Sequence, residues 1–391
     1  MNKPALAASA LAFAVAGGVA AADEIRIGVL YPLTGAAAAF GEPALMGHDI
    51  LIEEINEAGG VLGREVVSIS RDSRGNPEDA TAAARELITL ENVDFLVGGL
   101  TSAEGLAISE VARAEEVIYI ASIPKTISLI EPERFHEYVF RTAANTNYEG
   151  GAAAKIAVDN QWKRVCTLLF DYAYGWDLDR GFKRVTEAEM PDAEYVLELR
   201  PRLGNTDWSH YITQLLGADC DVVFGNLFAS HFIGFAQQAT PFGLFEQTNV
   251  IMAGEPGSVE ISRQMGDEMP EGVWTNAYEV FYAPIGAEHE AFIEKLRERT
   301  GDDVTLSWPV VGYVGTQFLI EAIREAGTTD TKEVIEALRG LTIETPIGTQ
   351  TINPETHEAN RGQFWGQMTS TDEYPFKVLE PATWIPADDL M

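Results

Sequence analysis

Basic residues are scarce in this chain. Lys and Arg together number 27 against 60 Asp and Glu, a formal net charge of −33 over 391 residues. Such a surface repels phosphates, which argues against nucleic acid as a partner. The acids are scattered, as in Glu53-Glu54, Glu115-Glu116 and Asp302-Asp303, with no long acidic tail. They read as a solubility feature rather than a site. Cysteine is scarcer still: only Cys166 and Cys220 are present, which excludes a disulfide-rich scaffold. Both begin apolar runs, at 165–170 and 220–225. On neighbouring strands an oxidising compartment would join them; as buried thiols they would stay apart. The two alternatives stand level.

Signatures of catalysis and nucleotide binding are missing as well. There is no GxxxxGK[ST] phosphate loop, no GxGxxG after the first strand and no GxSxG elbow. Of His48, His136, His210, His231, His289 and His357, none stands at i, i+4 from another histidine or beside a cysteine, so no zinc site is expected. No pattern implies a metal or a cofactor. A Ser/His/Asp triad has no fixed order in sequence, which leaves a secreted α/β hydrolase as a distant alternative. Beyond the N-terminus no run is long and apolar enough to span a bilayer.

What is present begins at that N-terminus. Lys3 precedes an alanine-rich apolar stretch over 5–22 that includes Leu6, Leu11, Phe13, Val15 and Val19. It ends in Ala20-Ala21-Ala22 before Asp23-Glu24. This predicts a secretory signal peptide over 1–22, cut after Ala22. The run is short and broken by glycine, which argues against a membrane anchor, and no cysteine lies near the cut to carry a lipid. The mature chain is therefore expected to be free and exported.

Its 46% hydrophobic content suffices for two ordinary cores. From Ile25 strands and helices alternate: strands at 25–30, 66–70, 95–99 and 117–121, with helices over 41–58, from Pro77 behind an Asn76 cap, and over 103–115. Such repetition predicts a doubly wound parallel sheet. A polar break over 140–148 follows, and then the alternation restarts: helices over 150–160, 177–189, 208–216 and 231–239, strands at 165–170, 195–199, 222–224 and 250–253. The remainder offers a strand at 273–281 and helices over 288–300, 310–326 and 332–338 with no strands between them. Those helices are placed most simply by a return to the first lobe, and 345–351 with the aromatic tail 364–384 suggests a last crossing to the second. The fold class is α/β: two doubly wound parallel-sheet lobes joined by a three-crossing hinge. The first lobe is assigned residues 23–145 and 282–345, the second 146–281 and 346–391.

Residues 94–126 form the stretch around which a site would be built. Asp94-Phe95-Leu96-Val97-Gly98-Gly99 is an apolar strand stopped by paired glycines, and Leu100-Thr101-Ser102 leads into a helix whose cap would be Ser102. The strand at 117–121 ends in Ser122-Ile123-Pro124-Lys125-Thr126. In an open α/β sheet both turns lie at carboxyl ends of strands, where small ligands bind. Hydroxyls, backbone amides and the positive end of a helix would there suit a carboxylate. An ordinary cap beside an ordinary loop would read the same way.

Several short motifs carry a resemblance. They are Ile27-Gly28-Val29-Leu30-Tyr31-Pro32-Leu33-Thr34-Gly35, ending in Phe40-Gly41; Ile55-Asn56-Glu57-Ala58-Gly59-Gly60-Val61-Leu62-Gly63 with Arg71-Asp72; Phe140-Arg141-Thr142; Asp171-Tyr172-Ala173-Tyr174-Gly175; and Gly254-Glu255. Together they resemble the type I periplasmic solute receptors, and more narrowly the leucine/isoleucine/valine-binding proteins of ABC importers. The resemblance covers nearly all of the mature chain. It implies a periplasmic receptor without catalytic activity, which closes on a small amino acid and delivers it to a membrane permease.

The resemblance also implies site residues. Ser102 and Thr126, with Thr101 beside them, would hold the α-carboxylate, and Glu255 the ammonium group. Phe40, Tyr174, Phe228 and Trp308 would line the side-chain pocket, although each is equally an ordinary core aromatic by type. The stretch Pro124-Lys125 departs from the family's small residues. Lys125 either reaches the carboxylate or is a solvated loop lysine, the simpler reading. The departure leaves room for an amide, a urea or an aromatic carboxylate as the ligand.

Overall fold

The computed structural model describes residues 24–35, 37–387 and 390. The expected signal peptide over 1–22 lies outside the described residues. The first lobe is built from β1 (Ile25–Tyr31), α1 (Ala38–Glu57), β2 (Val66–Asp72), α2 (Pro77–Thr89), β3 (Phe95–Gly98), α3 (Ser102–Glu115), β4 (Ile118–Ala121) and β5 (Val139–Arg141). Its sheet has the order β2-β1-β3-β4-β5 and every pair is parallel. Strands covered by helices on both faces must be apolar throughout, as β3 and β4 are. Asn76 caps α2 as expected, its side chain accepting from the amides of Glu78 and Asp79 ahead of Pro77.

The second lobe follows: α4 (Thr146–Asp159), β6 (Arg164–Leu168), α5 (Ala173–Glu189), β7 (Glu194–Leu199), α6 (Ser209–Gly217), β8 (Val222–Gly225), α7 (Ala229–Ala239), α8 (Leu244–Gln247), β9 (Asn249–Met252), α9 (Val259–Met265) and β10 (Trp274–Ala277). The chain then runs through α10 (Ala287–Thr300), α11 (Pro309–Ala326), α12 (Thr331–Leu338), the hairpin β11 (Thr342–Thr345) and β12 (Gly348–Thr351), and finally β13 (Gln363–Thr369) and β14 (Val378–Ile385). The second sheet has the order β14-β13-β10-β9-β8-β6-β7.

Three expectations need correction here. The second sheet is mixed, because β13 runs antiparallel to both β10 and β14. A strand that enters from the other lobe and turns straight back through a short loop has no crossover helix to make it parallel. The boundary expected at 345/346 falls inside the β11–β12 hairpin. The hairpin closes first, and the chain leaves for the second sheet only after 357–359, where the Arg141 amide donates to His357 and Ala359 donates back to Arg141. The polar break over 140–148 takes in the end of β5, and α4 begins at Thr146 under an Asn145 cap.

Two helices of the first lobe meet unusually closely. A side chain at Gly47 would fall 1.8 Å from the Pro309 carbonyl oxygen, and one at Gly312 would fall 1.8 Å from that of Ala44. Backbone therefore lies on backbone where α1 crosses α11. Cys166 in β6 and Cys220 ahead of β8 are joined as a disulfide across 5.8 Å between their Cα atoms. Among the described residues no helix is long and apolar enough to cross a membrane.

Candidate ligand-binding site

The site is assembled from strand ends. At the end of β3, Gly98 turns with φ of +123°, a conformation in which a side chain would strike the Leu30 carbonyl. This turn delivers Thr101 to the start of α3. Thr101 is the cap, in place of the expected Ser102: its Oγ1 accepts from the Glu104 amide at 3.1 Å, while its own amide donates to Glu104 Oε2 at 2.7 Å. Ser102 is thereby freed. Its Oγ is buried and has no hydrogen-bond partner. By helix geometry its amide and that of Ala103 also lack intrahelical acceptors.

Phe40, Thr101, Ser102, Tyr174, Phe228, Glu255 and Trp308 line one small cavity between the lobes, together with Leu100, Ile123, Lys125, Tyr172 and Gly254. Phe40 from α1 stacks on Trp308 with centroids 4.1 Å apart and planes at 10°. Phe228 and Tyr174 face each other edge-on from the second lobe. The indole Nε1 of Trp308 is a further buried donor without a partner.

Thr126 is not among the lining residues. Its Oγ1 donates to Asp177 of the second lobe and accepts from the Ser128 amide at 3.1 Å, so the hydroxyl is already committed. Lys125 lines the cavity instead, and the simpler reading of it as a solvated loop lysine is overturned: it is 5% exposed. Its ammonium donates to Glu149 Oε1 at 2.8 Å and to Glu255 Oε1, and lies 5.1 Å from the Tyr278 ring. Burial disfavours that charge, but the Glu149 and Glu255 carboxylates outweigh it and raise the lysine's affinity for its proton.

Glu255 sits at φ of +59°, a strained position for a side chain of this kind. Its carboxyl is raised to about 7: burial pushes it up most, Lys125 pulls it down and Glu149 pushes it up again. Asn276 Nδ2 at 3.1 Å, Gln363 Nε2 at 2.7 Å and Lys125 Nζ all converge on Oε1. None of these three donors goes to Oε2.

The sequence gives Glu149 no mark of its own. It sits in the first turn of α4, where an acid is favoured by the helix dipole whatever else it does, so its position carried no distinct signal. In the structure it accepts from Lys125, Tyr174 Oη, the Gly254 amide and Asn276. Arg141, buried at the first crossing, donates to the Lys125 and Thr126 carbonyls and pairs with Glu358 at the third. The hinge thus fixes the loop that carries Lys125.

Two α/β lobes that close three hinge segments around a small, aromatic-lined cavity define a solute receptor. The periplasmic binding protein family matches residues 24–373, and the chain belongs to that family, in its type I branch. It is 26% identical to Leu/Ile/Val-binding protein homolog 6 of Brucella suis, over 98% of this chain and 97% of that protein. A solute-binding protein of an ABC transporter from Rhodopseudomonas palustris, solved with 3,4-dihydroxybenzoic acid, is 25% identical with a TM-score of 0.81, covering 93% of this chain and 98% of its own. A leucine-binding protein from Thermotoga maritima shares the fold at 23% identity and a TM-score of 0.81, covering 94% and 100%. These relatives are named as binding proteins and not as enzymes.

Proposed function

We propose that the chain is the exported substrate-binding protein of an ABC importer, which takes an amino acid with a hydrophobic side chain into the interlobe cavity and delivers it to a membrane permease. The reading rests above all on the opposed poles of the cavity. On the first lobe, Ser102 Oγ and the first amides of α3 offer donors to a carboxylate. On the second, Glu255 is anchored through Oε1, so that Oε2 can receive an ammonium group. Lys125 and Arg361, a buried arginine over the Tyr278 ring at 4.9 Å, offset Glu149 and Glu255, and a balanced site of this kind suits a zwitterion, which carries no net charge. The apolar body of the ligand fits the Phe40, Trp308, Phe228 and Tyr174 walls.

A ligand joined to both lobes favours their closed arrangement by its differential contacts, and the closed form is the one a permease would accept. Export follows from the signal peptide expected over 1–22, and a periplasmic location accords with the family. Names of relatives fit the amino-acid reading, since one is called a Leu/Ile/Val-binding homolog and another a leucine-binding protein.

An amine-free aromatic carboxylate is the second reading. It is favoured by Lys125 in the cavity lining and by the dihydroxybenzoate held by the Rhodopseudomonas relative. The deciding experiment is a thermal-shift titration of the refolded mature chain with L-leucine, L-phenylalanine and 4-hydroxybenzoate. A solute present at a thousandfold excess over its Kd adds roughly 4 kcal/mol of stability. Stabilisation by the amino acids that is lost in Glu255→Gln supports the zwitterion site. Stabilisation by 4-hydroxybenzoate alone, indifferent to Glu255→Gln, replaces it with the second reading.

A further inference from the structure

Glu260 lies outside the cavity, yet it governs one of its walls. It occupies the first turn of α9, which follows β9 in the second lobe. Its Oε1 accepts from the Trp308 amide at 3.0 Å and its Oε2 from the Ser307 amide at 3.2 Å. Val259 completes the contact by donating its amide to Ser307 Oγ at 3.1 Å. Ser307 and Trp308 lead into α11, which is locked to α1 of the first lobe at Gly47 and Gly312. The bonds therefore run from one lobe to the other.

The chemistry of α11 makes this contact more than incidental. Trp308 is the cap residue of an 18-residue helix and supplies no side-chain hydrogen bond to it. Pro309 at the first position has no amide to offer. The orphan amides at the helix start need an acceptor, and the positive end of the dipole favours an anion. From 48 residues away Glu260 takes the amide of the cap residue and the one before it, with both carboxylate oxygens in use, and sets its acid group at the positive end of the helix. Trp308 is also the residue whose indole stacks on Phe40 and meets Tyr278 edge-on at 5.1 Å. Fixing its backbone fixes the aromatic wall.

We infer that Glu260 is a positioning residue for ligand capture: it draws the lobes together by capping α11 and so sets the Trp308 indole in the cavity. The inference rests on the reading of that cavity as the ligand site. Because every bond involves protein atoms only, the bias toward closure acts before a solute arrives.

The test is amide hydrogen exchange at Ser307 and Trp308 in the ligand-free mature chain, comparing wild type with Glu260→Ala and Glu260→Gln. Calorimetric titration of each with L-leucine and 4-hydroxybenzoate accompanies it. Glu260→Ala is expected to speed exchange at both amides by tenfold or more and to weaken whichever solute binds by a similar factor. The isosteric Glu260→Gln keeps one acceptor oxygen and should restore slow exchange at one amide and most of the affinity, which a loss of general stability would not reproduce. Equal exchange at the two amides in wild type and Glu260→Ala overturns the inference. Slow exchange in wild type that is lost in Glu260→Ala, with neither solute binding, upholds the clamp and counts against the ligand reading alone.

Discussion

Lys125 reaches from the first lobe to place its ammonium 2.8 Å from Glu149 Oε1, at the base of α4 in the second. Neither side chain is more than 6% exposed. With Glu255 it forms a buried triad of one cation and two carboxylates that spans the cleft. A triad of this kind is weak support for stability while intact, because desolvation of the charges offsets their attraction. Broken, it is costly.

Lys125→Met should therefore destabilise the mature chain by roughly 3–5 kcal/mol, since two carboxylates lose their buried counter-charge. Urea unfolding at pH 7.5 measures the loss. Repeating it at pH 5 should recover part of the stability, because Glu255, whose carboxyl burial already raises, can then take up a proton. A loss under about 1 kcal/mol at both pH values would contradict the buried pairing.

Ser102→Ala separates binding from folding. The Oγ has no partner in the protein, so ligand-free stability should stay within about 0.5 kcal/mol of wild type. Affinity for a carboxylate ligand should fall by roughly 1.5–3 kcal/mol, the worth of a hydrogen bond to a charged group. Calorimetric titration beside urea unfolding reads both quantities.

Thr126→Val should behave in the opposite way. Its hydroxyl serves Asp177 and the Ser128 amide rather than the cavity. We expect a stability loss of about 1–3 kcal/mol from a buried acceptor left unmet, with a smaller affinity loss than in Ser102→Ala. An affinity loss equal to that of Ser102→Ala would return Thr126 to the ligand.

The pH dependence has a definite sign. Burial raises Glu255 to about 7, above the ordinary value of 4.5. Its contribution to ligand-free stability is thus fully present below about 4.5 and is lost as the pH rises through about 7. An ammonium ligand needs the ionised form, so amino-acid affinity should weaken as the pH falls below 7, by at most about tenfold per unit. Glu255→Gln should flatten most of that profile. Burial raises Glu260 to about 7 as well, so Glu260→Gln in the same background should reduce any slope that remains.

The disulfide gives the last expectation. Cys166 and Cys220 stand 54 residues apart, and closing a loop of that length limits the unfolded chain by about 4 kcal/mol in the entropic account. Cys166→Ala/Cys220→Ala should lower stability by that order, seen in urea unfolding under non-reducing conditions, while ligand affinity is retained.

The periodic parts of this chain could be read directly. The run 25–30, the glycine stop after β3 and the Asn76-Pro77 helix start each impose one local geometry, and the structure keeps them, with the first strand running one residue further. Residues whose role depends on the other lobe were the hard ones. Ser102 looked like a cap because Thr101 and Ser102 are chemically alike in that position; Glu104 three residues after Thr101 decides between them. Thr126 and Lys125 are neighbours, and which of them enters the cavity depends on Arg141 holding both their carbonyls. Glu149 and Glu260 sit in first turns of helices, where an acid needs no special explanation. What their carboxylates accept comes from the opposite lobe for Glu260 and from both lobes for Glu149, so only the folded chain reveals it.

The backbone contact at Gly47 and Gly312 has a kinetic consequence. Phe40 rides on α1 and Trp308 leads α11, and the two helices cannot slide without collision. Half of the aromatic box therefore exists before any solute arrives, as a finished platform beside Ser102. An incoming molecule meets that platform already built, and what its arrival adds is the bridge to the opposite lobe. Substitutions on the platform should then alter how often capture begins, and substitutions across the cleft how long it lasts.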